Sequence, residues 1–159
     1  MNYRRERYAI AYGSNLGDRE AYIDLALSAL SKHPYISLLR RSENYSTAPV
    51  GFNSNNDFIN GVCIIESTLH PEQLLKFLNH VERELGRVRN NEGYADRVID
   101  LDIVLALATD YDSDTLTIPH PRMHERQFVL EPIVSIAPNW QHFKLNKTVD
   151  ELYNALKVK

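Results

Sequence analysis

The 159-residue chain has little cysteine, no long apolar run and no cationic excess. Its one cysteine, Cys63, cannot form an intramolecular disulfide, and cysteine-rich zinc sites are excluded. A lone thiol between Val62 and Ile64 reads as a small buried hydrophobe, and such sparing use of cysteine fits a reducing cytoplasm. No apolar stretch approaches the roughly 20 residues of a membrane span, so no membrane partner is expected. The opening residues, MNYRRERY, are charged with no apolar core behind them, so they do not read as a secretory signal. Against 18 Lys+Arg stand 21 Asp+Glu, a formal net charge of −3, which argues against holding nucleic acid by counterion release. There is no HExxH pattern among the six histidines, no internal repeat and no low-complexity tract.

What remains is an ordinary globular composition, 43% hydrophobic and 25% charged, which excludes intrinsic disorder. The length suits one domain over 1–159 with a core of its own, expected to act as a monomer. Residues 8–12 form a short apolar strand ended by Gly13. Asp18 is a good N-cap for a helix in which Ile23, Ala26, Leu27 and Leu30 recur at helical spacing, and His33-Pro34 ends it. Residues 36–41 read as a strand that 44–47 extend, 48–57 as a turn-rich loop, and 58–65 as the next strand. Pro71 suits the first turn of a second helix with Leu74, Leu78, Val81 and Leu85 as its stripe, and Gly86 is placed to end it. A polar connector, 87–97, leads into a strand over 98–105. A proline loop, a short helix near 129–136 and a last helix follow, the last opened by a Thr148/Glu151 capping box. The order strand, helix, strand, strand, helix, strand predicts an α+β fold: a ferredoxin-like βαββαβ core with an antiparallel sheet, plus a C-terminal helical extension.

The most informative local feature is Asp100-Leu101-Asp102. Strand alternation puts both carboxylates on one face. Two acids so placed repel each other unless a cation lies between them, and hard oxygen ligands suit Mg²⁺. The plainer reading is a solvated pair of acids. Just upstream lie Arg87, Arg89 and Arg97, whose planar forks match phosphate oxygens; the alternative is a solvated loop pairing with Glu82, Glu84, Glu92 and Asp96. Gly13-Ser14-Asn15-Leu16-Gly17 lacks the Gly-Lys-Ser/Thr ending of a P-loop and reads as a strand-to-helix turn. Asp110, Asp112 and Asp114 begin like a calcium loop, but Thr115 and Pro121 stand where it needs glycine and a bidentate acid.

Several segments together resemble one family: AYGSNLGDRE at 11–20, YSTAPVGFNSNNDFINGV at 45–62, VERELGRVR at 81–89, RVIDLDIVL at 97–105 and TIPHPRMHERQFVLEPIVSIAP at 117–138. In order and separation they are similar to 6-hydroxymethyl-7,8-dihydropterin pyrophosphokinase, the folate-pathway enzyme. The resemblance covers nearly the whole chain. It implies transfer of pyrophosphate from ATP, the co-substrate, to the hydroxymethyl group of a reduced pterin, with release of AMP. It also implies two Mg²⁺ ions held by Asp100 and Asp102, and phosphate handling by Arg87 and Arg97. Glu82, Arg89, Ile103, Thr117, His120 and Arg126 fall where the family contacts ATP. Phe58 and Phe128 match the aromatics that sandwich the pterin, Asn60 an asparagine on its edge, and Thr47 and Val50 positions of backbone contact. Read without the family, Phe58 and Phe128 are core residues.

The chain departs from the family pattern at several places. Ala48 stands where proline is common, Phe58 where tyrosine is, Ala95-Asp96 where Gly-Pro is frequent, Val98 in place of threonine, and Thr115 where some members have arginine. The departures at 95, 96 and 98 motivate a second reading, a ferredoxin-like pterin- or nucleotide-binding module without turnover, and a third reading is a Mg²⁺-dependent nucleotide enzyme with a changed acceptor.

Overall fold

A computed structural model describes residues 4–48, 56–86 and 96–158. The chain runs β1 (Glu6–Ser14), α1 (Arg19–Lys32), β2 (Ile36–Arg41), β3 (Tyr45–Thr47), β4 (Phe58–Ser67), α2 (Pro71–Glu84) and β5 (Asp100–Ala106). There follow a hairpin of β6 (Tyr111–Asp112) and β7 (Thr117–Ile118), a single 3-10 turn (Met123–Glu125), α3 (Gln127–Ile136), a second hairpin of β8 (Gln141–His142) and β9 (Lys147–Thr148), and α4 (Val149–Lys157). No helix among the described residues is long and apolar enough to cross a membrane.

The main sheet has the order β2-β4-β1-β5, with β3 also paired to β4, and every pairing is antiparallel. Alternation along the strands divides the core between its two sides. Tyr8, Ile10, Cys63, Ile65, Leu101 and Ile103 pack under α1 and α2. Ala9, Val62, Ile64 and Leu105 pack under α3 and α4. The register slips between Ala9 and Ile10, which pair with Leu105 and Ile103, so Val104 is an extra residue in β5. That bulge lets Val104 and Leu105 turn to the same side.

The helices start where local chemistry starts them. Asp18 accepts from the Ala21 N–H at 3.1 Å, and the buried stripe of α1 is Ile23, Ala26, Leu27 and Leu30. In α2, Pro71 sits in the first turn, and Leu74, Leu78 and Val81 are buried. Gly86 follows at φ +98°, a left-handed conformation that glycine adopts without steric cost. Thr148 and Glu151 make the reciprocal bonds of a capping box at α4.

The structure differs from the sequence expectation in several places, among them β1, which spans Glu6–Ser14 rather than 8–12, and β5, which begins at Asp100 rather than at 98. Residues 45–47 are a separate strand rather than an extension of β2. Ser42 interrupts the ladder: its N–H donates to the Val62 carbonyl while its hydroxyl accepts from the Val62 N–H. The sequence expectation has no N-cap for α2; it is His70, whose Nδ1 accepts from the Glu72 N–H, paired reciprocally with Gln73. The helix expected near 129–136 begins at Gln127, which brings Phe128 into its first turn. The two short hairpins were not anticipated, because two-residue strands carry no periodicity.

Candidate active site

Two rows of side chains cross the sheet on its α3/α4 side. Gly13 of β1 pairs with Asn60 of β4 and with Asp100 of β5. Ala11 pairs with Val62 and with Asp102. The central strand thus contributes almost no side-chain volume between an amide and two carboxylates. A cavity of about 320 Å³ opens above these rows. Thr47, Phe58 and Asn60 line one flank, Asp100 and Asp102 the other, and His120, Arg122, Arg126 and Phe128 close over them from the loop and α3.

Asp100 and Asp102 are half-buried and alternate with buried Leu101 and Ile103. The Arg97 Nε lies 3.3 Å from an Asp100 carboxylate oxygen, and the guanidinium carbon stands 4.9 Å from the centre of the Phe58 ring. Arg126 sits likewise over Phe128, at 5.7 Å. Each aromatic proposed for the pterin therefore has an arginine against it. Asn60 donates its Nδ2 to the Thr47 hydroxyl, which orients the amide. A polyanion with a flat aromatic ring meets matching chemistry in such a cleft.

His120 is held by two bonds. Its N–H donates to the Val104 carbonyl at 2.8 Å, and its Nδ1 accepts from the Arg122 N–H at 3.1 Å. Burial, then the charges of Arg126 and Arg122, push its imidazole down to about 4. It is neutral at pH 7, and with Nδ1 accepting, the proton rests on Nε2. The cleft is thus given a neutral N–H donor.

Three residues expected to contact the nucleotide lie outside the lining of this cavity. Glu82 is 1% exposed, and its carboxylate accepts from the Leu101 N–H at 2.8 Å, closing the outer edge of β5. Ile103 points into the core under α1 and α2. Thr117 donates its hydroxyl to Asp112 across the β6–β7 hairpin. None of the three lines the cavity. Arg87, Arg89 and Val50 lie outside the described residues. Cys63 is fully buried, with its thiol pushed up to about 12 by desolvation, as an inert core residue would be.

Sequence reasoning missed Ala11 and Gly13 as cleft floor, because small residues in a strand read as filler until the register is known. It also missed Asn15. This residue is 1% exposed, and its side chain bonds residues 56, 96 and 97. A turn asparagine gives no sign of partners some 80 positions away.

Among the described residues no group of three or more His, Cys, Asp and Glu side chains converges as a metal cage. Two half-buried carboxylates on one face do fit Mg²⁺, which keeps water ligands and takes phosphate oxygens from a substrate.

The family model for 7,8-dihydro-6-hydroxymethylpterin-pyrophosphokinase matches residues 9–138. The chain is 40% identical over 127 residues to the 2-amino-4-hydroxy-6-hydroxymethyldihydropteridine pyrophosphokinase of Bacillus subtilis, covering 80% of this chain and 75% of that one. It is 40% identical over 136 residues to the protein of the same name from Porphyromonas gingivalis, covering 84% and 91%. It is also 39% identical over 147 residues to the folic acid synthesis protein fol1 of Schizosaccharomyces pombe, of which it spans only 20%. The crystal structure of wild-type Plasmodium falciparum HPPK-DHPS with pteroate superposes at a TM-score of 0.76 over 98% of this chain and 45% of that one, with 12% identity, a likeness of fold. The match to the family model over residues 9–138, with two relatives at 40% identity of which the chain covers 75% and 91%, places this chain in the 7,8-dihydro-6-hydroxymethylpterin-pyrophosphokinase family.

Proposed function

We propose that this chain transfers pyrophosphate from ATP to the hydroxymethyl group of 6-hydroxymethyl-7,8-dihydropterin, releasing AMP, as a step of folate biosynthesis. The observation that carries the reading is one cavity lined by Asp100, Asp102, Arg97, Phe58, Asn60 and Phe128, in a chain of this family. We read the β2-β4-β1-β5 order as the ferredoxin-like arrangement, within a single domain of the cytoplasm that acts as a monomer.

The pterin ring lies between Phe58 and Phe128, with the Asn60 amide and the Thr47 backbone on its polar edge. Its hydroxyl oxygen attacks the β-phosphorus of ATP in line. The O–Pβ bond forms, the bond from Pβ to the α-bridging oxygen breaks, the hydroxyl proton leaves to solvent, and AMP departs. Asp100 and Asp102 are the carboxylates that would hold two Mg²⁺ ions, which when bound supply Lewis-acid neutralisation of phosphate charge. Arg97, with Arg87 as its expected companion, neutralises the moving pyrophosphoryl group, and Arg126 and the Nε2–H of His120 hold phosphate oxygens. Glu82 acts at one remove, through the β5 backbone.

AMP release with MgATP and the reduced pterin tests the proposal. The wild type should release AMP in proportion to pterin consumed. Asp100→Asn and Asp102→Asn should each lose roughly a hundredfold or more in kcat with an unchanged melting temperature. Folded wild type that binds pterin without releasing AMP would support the binding-module reading instead. AMP release that does not require the pterin would support a changed acceptor.

A further inference from the structure

The end of β1 carries a polar clasp. Asn15 Oδ1 accepts from the Arg97 N–H at 2.7 Å, and the Asn15 N–H donates to the Arg97 carbonyl at 3.0 Å. Asn15 Nδ2 donates to one Asp96 carboxylate oxygen at 2.7 Å and to the Asn56 carbonyl at 3.4 Å. Asn56 Nδ2 reaches the second Asp96 oxygen at 3.3 Å. Only one orientation of the Asn15 amide satisfies these partners, since its oxygen faces a donor and its nitrogen a carboxylate.

Two consequences follow for the cleft. The backbone of Arg97 is bound on both its N–H and its carbonyl, so the guanidinium starts from a fixed point to reach Asp100 and Phe58. Both oxygens of Asp96 are engaged by amides, so this carboxylate is directed to the clasp while Arg97 pairs with Asp100. We infer that Asn15 and Asp96 are positioning residues, whose paired amide and carboxylate set Arg97 to meet the ATP phosphates. The inference rests on the functional reading above for the identity of the nucleotide. Misplacing a phosphate-binding group by about an ångström costs up to roughly a hundredfold in rate.

The experiment exchanges the two groups. Asn15→Asp sets a second carboxylate against Asp96. Asp96→Asn in the same chain restores a donor–acceptor pair and still leaves an oxygen for the Arg97 N–H. Asp96→Ala removes the carboxylate at an exposed position, where folding is tolerant. Binding of a non-hydrolysable MgATP analogue is measured by calorimetry, beside KM and kcat for ATP, pterin affinity and melting temperature. Asn15→Asp and Asp96→Ala should weaken analogue binding and raise the KM for ATP by about tenfold, with pterin affinity within about twofold. The double exchange should return both values to within about threefold of wild type. The inference is overturned if the single variants lower only the melting temperature, or if the double exchange binds the analogue no better than Asn15→Asp. Should Asn15→Asp fail to fold, the Asp96→Ala affinity decides alone. A wild type that binds the analogue but releases no AMP overturns the functional reading only, and the affinity ratios still judge the clasp. A wild type that binds no analogue overturns both.

Discussion

Gly13 lies so close under Asn60 that a Cβ added to it would stand 2.7 Å from the amide oxygen. The two residues are cross-strand partners, and the Asn60 amide is held in turn by the Thr47 hydroxyl. The glycine is therefore what lets the amide lie flat on the cleft floor. Gly13→Ala must push the amide away and break the bond to Thr47. An edge hydrogen bond lost from a ligand corresponds to about 1 kcal/mol or more, so the affinity for the reduced pterin should fall by roughly five- to tenfold. The melting temperature should move little, because alanine is accepted in a strand and Gly13 has no left-handed φ. Calorimetry with pterin and with an ATP analogue checks this. An unchanged pterin affinity would remove Gly13 from the specificity of the site.

The contrast between Asp100 and Glu82 shows what was legible before the structure. Period-two alternation around Leu101 and Ile103 places Asp100 and Asp102 together, and they do line one cavity. Helical spacing likewise identifies the buried stripes of α1 and α2. Glu82 lies on the opposite side of β5, where its carboxylate satisfies a backbone N–H of an edge strand. Only the three-dimensional pairing of α2 with β5 reveals that use. Asn15 was illegible for a related reason. Its partners are distant in sequence, and an asparagine in a Gly-Ser-Asn-Leu-Gly turn is already explained by turn chemistry. Local patterns report what a residue does to its own element; the clasp and the edge closure are contacts between elements.

His120 offers a pH-dependent signature. With its imidazole pushed down to about 4 by burial first and by Arg126 and Arg122 second, it stays neutral through the physiological range. The unfolded chain, whose histidine titrates near about 6.5, takes up a proton that the folded chain refuses. Stability should therefore fall as pH drops from about 6.5 toward about 4, and His120→Asn should remove that part of the slope. Heteronuclear NMR of the imidazole should show the Nε2–H tautomer at pH 7, with Nδ1 accepting from Arg122. A midpoint near 6.5, or a proton on Nδ1, would contradict the neutral donor assigned to the cleft.

Glu72 ties the β6–β7 hairpin to the first turn of α2. Its carboxylate accepts from the hydroxyls of Ser113 at 2.5 Å, Thr115 at 2.6 Å and Tyr111 at 2.8 Å. Bonds from Ser113, then Thr115, then Tyr111 hold the carboxyl below its ordinary value, since all three hydroxyls favour the charged form. A carboxylate in the first helical turn also faces the positive end of the helix dipole. Glu72→Ala removes the acceptor shared by three donors on one short hairpin. Amide hydrogen exchange should accelerate over 107–117 while the interior of α2, anchored by Leu74 and Leu78, keeps its protection. Acid should reproduce the effect in the wild type. The contribution is complete above the ordinary carboxyl range and is lost as pH falls through the depressed folded value, so hairpin protection should drop only in that acidic window. Equal exchange in the variant and the wild type would show that the hairpin is held by its own ladder and by the His120 bond to Val104, leaving the three hydroxyls without mechanical consequence.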